Sequence, residues 1–220
     1  MEFRAVVGER SMRRPGIDVD ELVPEAVGMA GEVDVDGVRV DGGDLTGASG
    51  DGRVAHALFT AVTMAGSQLG PLELSDVRFD GTELSNSSWQ PVTARRVEFV
   101  GCRALGWRLN LIQAHDVCLH GCRLDYAVLT IGKVKGLLVF VDCSFPGAVL
   151  AGDLSTVVFS GCDFDGVEFD ATRAVDCDLR TSQLTGARGL LSLRGATLDL
   201  AQAMAIGPRL AVEAGLVVLD

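Results

Sequence analysis

The chain has 220 residues, 48% of them hydrophobic, with 27 Gly but one Tyr and two Trp, so it can bury a sizeable core made largely of small and aliphatic side chains. A formal charge of −11 argues against general nucleic-acid binding through phosphates, and no run of 18 apolar residues is present to form a membrane-spanning helix. Met1-Glu-Phe-Arg4 begins no apolar leader with a cleavage site, so no secretory signal is expected. The six Cys are therefore expected to stay reduced, as in a cytoplasmic protein.

Residues 1–32 carry no clear repeat and read as an N-terminal arm or cap. Within them Ser11-Met-Arg-Arg-Pro-Gly16 reads as a turn or loose arm, and Asp20–Gly28 as a short helix interrupted at Pro24. From Val33 a five-residue rhythm sets in, resets near Gly50-Asp-Gly-Arg53, and then runs unbroken. Stepping by five from Phe59 meets Met64, Leu69, Leu74, Phe79, Leu84, Trp89, Ala94, Phe99 and so on to Val134, apolar every time. Neither the helical period of 3.6 nor the strand period of 2 predicts that step.

A larger period lies over the small one. Val77-Arg-Phe-Asp-Gly81, Val97-Glu-Phe-Val-Gly101, Val117-Cys-Leu-His-Gly121 and Val157-Val-Phe-Ser-Gly161 are copies, with looser ones starting at 38, 57, 138 and 177. Spacings of 19 to 21 residues mark a solenoid. If residues i and i−2 point inward on each five-residue step, four steps close one four-sided coil. One extra residue near 135–140 and one missing near 150–154 reconcile the unequal spacings. Phe79, Phe99, Leu119, Phe140 and Phe159 then stack on one inner side, and Cys102, Cys122, Cys143 and Cys162 on the next. At about 4.8 Å per coil, about eight coils make a rod of roughly 40 Å, in which each coil buries its apolar residues against its neighbours and the ends need caps.

The repeat region is expected over 33–198 and a C-terminal helical cap over 199–220. Asp199 is placed to N-cap a helix through Ile206, with Gly207-Pro208 breaking it and a second turn or two of helix following. Leu216–Leu219 reads as a short strand or an apolar tail over the open end. Leu200, Met204, Leu210 and Val218 are more apolar surface than a cap needs, which favours a homodimer through this segment.

Cys162-Asp-Phe-Asp-Gly166 and Ser182-Gln-Leu-Thr-Gly186 carry the pattern of small residue, Asp or polar residue, Leu or Phe, polar residue, Gly. By these and the five-step register, the sequence resembles the pentapeptide-repeat family over 33–198. That resemblance implies an all-β fold, a right-handed quadrilateral β-helix.

Other readings of single residues are plainer. The Cys ladder recurs once per coil, unlike the short paired spacing of zinc sites, and reads as core. Gly42, Gly81, Gly101, Gly121 and Gly161 read as coil corners, not a phosphate cradle. No Walker loop, G-x-G-x-x-G or H-E-x-x-H occurs, and no cofactor, metal or catalytic set is expected. Trp107 at a small position, with Ala94, Ala104 and Ala114 at large ones, points to volume compensation. Val128 with Val149, and Val139 with Val158, occupy outward positions as apolar stripes.

Charge is banded along the axis. Residues 17–52 carry ten acids against Arg39 alone, residues 94–135 are basic, and residues 142–178 carry eight acids against Arg173. The resemblance implies a non-enzymatic interaction protein and, more finely, a DNA mimic of the quinolone-resistance type that binds and protects a type II topoisomerase, DNA gyrase. The phosphate imitators would be Asp142, Asp153, Asp163, Asp165, Glu168, Asp170, Asp176 and Asp178. The alternatives are a scaffold or adaptor for another protein partner, through the apolar stripes or the basic band, and a small-ligand or enzymatic site around Trp107, Cys118 and His120.

Overall fold

Each five-residue step lays down one side of a coil, with a corner between steps. The computed structural model describes residues 3–5 and 10–219 and stacks these coils into a four-sided parallel β-solenoid of about seven turns. The main ladder runs through β3 (Val23–Pro24), β5 (Val38–Asp41), β6 (Ser49–Thr60), β7 (Gln68–Asp80), β8 (Ser88–Val100), β9 (Arg108–His120), β10 (Val128–Val141), β11 (Val149–Asp153) and β13 (Glu168–Arg173). Off this path, β4 (Gly31–Asp36) pairs with β6, and β12 (Val158–Ser160) with β10. The last copy, from Cys177, has lost its strands and keeps register by isolated bridges such as Asp178 to Thr197. The regular ladder is accordingly shorter than the eight copies in the sequence.

The strands are long because they bend without breaking. One corner of successive coils is turned by His56, Asp76, Arg96, Asp116, Thr156 and Asp176, all with φ between 43° and 66°. Residues with side chains rarely take this left-handed region. The register slips fall where the spacing placed them. Lys135 pairs with His115 but Leu138 with Val117, which accommodates the extra residue, and the ladder shifts again between Gly152 and Asp153. At Gly152, φ is 91° and a Cβ would lie 2.1 Å from the Ile131 carbonyl oxygen, so only Gly fits.

The interior holds the predicted columns. Phe59, Phe79 and Phe99 stack with ring centroids 5.0 and 4.8 Å apart, and Phe140 and Phe159 at 4.9 Å. Trp89 and Trp107 meet edge to face at 5.4 Å and pack on Phe79 and Phe99 at 5.6 and 5.4 Å. The thiols of Cys102, Cys122, Cys143 and Cys162 donate to the carbonyls of Phe79, Phe99, Leu119 and Phe140 on the preceding coil, at 3.4–3.5 Å. All six Cys are buried and unbridged, and burial pushes Cys177 up to about 12. The ladder is core.

Both ends differ from the sequence expectation. No helix forms at 20–28. Val23–Pro24 instead pairs with Val38–Arg39 to start the ladder. Val23 and Glu25 donate their N–H groups to Gly37 and Arg39, and Pro24 sits between them where no donor is needed.

At the other end one helix, α1 (Leu200–Glu213), runs straight through Pro208. Asp199 and Gln202 form a reciprocal capping box at 2.8 Å. Beyond the proline, Arg209 donates to the Gly186 carbonyl at 2.8 Å, Leu210 packs on the core, and Glu213 accepts from the Gly189 N–H at 2.8 Å. These tertiary contacts outweigh the breaker. Leu216–Leu219 is neither strand nor lid: it lies exposed, and Ile206 and Leu210 close the end.

Candidate interaction surfaces

Four outward columns define four faces. The first is centred on Leu58, Arg78, Glu98, Cys118, Val139, Val158 and Asp178. The second runs through Arg103, Arg123, Ser144 and Asp163, the third through Arg108, Val128, Val149 and Glu168, and the fourth through Glu73, Thr93, Gln113 and Lys133.

Residues 10–16 of the chain lie across the first face. Strands β1 (Phe3–Ala5) and β2 (Ser11–Arg13) pair antiparallel, and the arm runs on across the coils toward the start of the rod. Arg10 donates to the Thr156 and Asp176 carbonyls at 3.4 Å, and Met12 is buried on Cys118, Val139 and Val158. Arg14 holds the Glu98 carboxylate, and the Gly16 N–H donates to Asp76 at 2.7 Å. One of the two predicted apolar stripes, Val139 with Val158, is thus sealed from inside the molecule. The other, Val128 with Val149, stays partly open.

Asp76 is the arm's last anchor. Burial alone would raise its carboxyl, but bonds from Arg96, the Gly16 N–H and Ser75 hold it below the usual carboxylate range. His56 stands 2.8 Å from Asp36 and 4.0 Å from Asp76, so acid and base alternate up this corner. Between the arm and the early coils lies an open cleft of about 620 Å³, bordered by Arg14, Ile17, Leu58, Arg78, Asp80 and Glu98.

The eight acidic candidates do not share one face. Asp163 and Asp165 lie on the second face and its corner, with Glu168 and Asp170 next on the third; none of the four has a cation within 4.0 Å among the described residues. Asp142 and Asp176 turn left-handed corners, with Asp142 3.7 Å from His120. Asp153 sits on the fourth face and accepts from the Ser155 N–H at 2.9 Å. Asp178 is buried on the first face, where two bonds from Arg180 at 2.7 and 3.0 Å hold its carboxyl below the usual range.

Of the four apolar candidates at the cap, Leu200, Met204 and Val218 are exposed, whereas Leu210 packs on the core beside an apolar cleft of about 240 Å³ formed with Leu191, Leu193 and Ile206. Trp107, Cys118 and His120 are not brought together. Trp107 is fully buried in the third side, Cys118 lies outside the first face under Met12, and the interior void beside Trp89 and Ala94 measures only about 10 Å³. That is roughly the room for one water at most, too little for a ligand.

The arm contacts had no repeat to announce them. Their only trace in the sequence is the alternation of Arg10, Met12 and Arg14, which suits a strand lying flat on a half-apolar, half-acidic face.

No family model and no curated protein matches the sequence. Among solved structures, the chain is similar to HetL, a pentapeptide repeat protein involved in heterocyst differentiation regulation from the cyanobacterium Nostoc sp. strain PCC 7120. The identity is 16%, the TM-score 0.41, and the match covers 77% of this chain and 89% of that one. A trypsin-treated QnrB1, a plasmid-mediated fluoroquinolone resistance protein, matches at 23% identity and TM-score 0.47, over 87% and 99% of the two chains. Full-length QnrB1 matches at 20% identity and TM-score 0.25, over 83% and 98%. Among the described residues no helix is long and apolar enough to cross a membrane. With one side of a coil per five residues and four sides per turn, the chain folds as a four-sided parallel β-solenoid, and the solved structures it is similar to include a pentapeptide repeat protein.

Proposed function

We propose that this rod is a non-enzymatic, cytoplasmic protein-interaction module that engages a basic protein surface through its C-terminal coils. The observation that carries this reading is the set Asp163, Asp165, Glu168 and Asp170. These are four carboxylates on adjoining faces, with no cation of the chain within 4.0 Å among the described residues. Elsewhere on the rod many carboxylates are answered locally, as Asp80 is by Arg78 and Asp125 by Arg123. Unanswered negative charge on a rigid scaffold attracts a basic partner over a Debye length, so binding is salt-dependent.

The specific partner implied by the sequence resemblance is a type II topoisomerase, with the acidic coils standing in for DNA phosphates. The test is a supercoiling and quinolone-cleavage assay with purified gyrase at low and physiological salt. The reading requires that cleaved complex fall as protein is added, and that Asp163→Lys with Glu168→Lys abolish the fall. Gyrase left untouched at micromolar protein and low salt would remove the topoisomerase as partner. We further propose that two rods join through Leu200, Met204 and Val218 at the cap.

A further inference from the structure

The fourth face carries a second surface, of opposite sign. Three coils place Thr93 and Arg95, then Gln113 and His115, then Lys133 and Lys135 directly above one another. Alternate residues of a strand point to the same side, so all six project outward and none is acidic. Along a strand the paired positions lie about 6.6 Å apart, and between coils about 4.8 Å.

This grid is not neutralised. In the same basic band Arg96 meets Asp76, Arg103 lies 3.4 Å from Glu83, and Arg123 3.0 Å from Asp125. By contrast, among the described residues no carboxylate comes within 4.0 Å of Arg95, Lys133 or Lys135, all three exposed. His115 between them lies 3.4 Å from Asp116. Like charges at this spacing repel one another, a cost that an anionic partner removes.

The shape of the grid selects the partner. It is closed off by Glu73 on the coil before and by Asp153 on the coil after, so the basic footprint is about three coils high. A nucleic acid gains affinity from a long run of phosphate contacts, which the acidic ends and the overall charge of −11 deny it. An extended protein segment needs less. Its carboxylates at alternate positions fall on one side at the spacing of Lys133 and Lys135, and laid along that strand it meets both, with Arg95 two coils away for a neighbouring acid. The geometry points to a docking site for an extended acidic protein segment, Asp or Glu at every second residue, on the fourth face at Arg95, Lys133 and Lys135.

The test uses the full chain and a fluorescent ten-residue peptide of alternating Glu and Thr, followed by anisotropy at 50 and 300 mM salt. The expected result is binding at low salt, weakened at least tenfold by Lys133→Glu with Lys135→Glu, and unchanged by Arg123→Glu on the second face. The milder pair Lys133→Gln and Lys135→Gln should weaken it in the same direction, and unchanged thermal melts show that the variants fold.

Four outcomes overturn the proposal: no peptide binding at 50 mM salt; binding indifferent to the lysines; a ten-residue oligothymidylate binding more tightly than the peptide; or self-association at low salt that the lysine substitutions abolish, which would make a second copy the occupant. The proposal concerns a different face from the acidic coils, so failure of the gyrase assay leaves it standing, and the reverse.

Discussion

Arg14 donates to both carboxylate oxygens of Glu98, at 2.9 and 3.2 Å, across 84 residues of sequence. The Glu98 side chain is 2% exposed and its other guanidinium neighbour, Arg78, stands at 3.6 Å. Removing Arg14 therefore leaves a buried carboxylate with one distant partner. Arg14→Ala is expected to weaken arm docking by about 1–3 kcal/mol. Amide hydrogen exchange on residues 10–16 reads this directly, and unchanged protection would show that the pair does not hold the arm.

Met12 is the arm's apolar plug, and Cys118 lies beneath it. The native protein should resist maleimide at all six thiols. Met12→Asp should expose Cys118 alone, since the other five point into the core. Mass spectrometry of the labelled peptide checks this. Labelling of Cys122 or Cys143 at the same rate would mean that the coils, and not the arm, had opened.

The Asp76 carboxyl sits below its ordinary value of 3.8 because Arg96 and the Gly16 N–H favour the ionised form over the penalty of burial. A depressed folded pKa gives stability that is complete above the unfolded value and is lost as pH falls below about 3.8 through the folded one. Asp76→Asn should thus destabilise the protein at pH 7, by about 1–2 kcal/mol, and narrow its gap to the wild type as the pH approaches 3. Melting curves at a series of pH values test it; a constant gap would refute the linkage.

At the cap, Leu200→Glu with Met204→Glu should turn a dimer into a monomer in sedimentation velocity without changing the melt, because both side chains are exposed. Leu210→Glu should instead unseat the helix, since Leu210 packs on the last coil. A wild type that sediments as a monomer at micromolar concentration would end the dimer proposal.

Much of the fold was legible in the sequence because the solenoid is made of nearest-neighbour contacts, and each inward residue meets its equivalent 19 to 21 residues away. Phe79 over Phe99, the Cys ladder and both register slips follow from counting. What escaped were contacts outside that period. The Pro208 breaker was overruled by Arg209, Leu210 and Glu213 reaching back more than 20 residues. Val23–Pro24 looked helical because its pairing partner, Val38–Arg39, lies at the edge of the repeat. The candidate acids formed one block in sequence, yet a 20-residue coil carries such a block around every face, so Asp178 ends buried while Asp163 stays in solvent.

The arm's course has a consequence for how the protein is made. Its first described side-chain anchor, Arg10, reaches the Thr156 and Asp176 carbonyls, so the arm lies against the order in which the coils are laid down. Synthesised before the coils it binds, it has no complete seat until the coils near residue 176 exist. Meanwhile Val139 and Val158 form before their cover is fixed, and the nascent rod carries an open apolar strip. Docking of the arm then closes a contact across 166 residues of sequence, in a fold otherwise built largely from contacts between neighbouring coils.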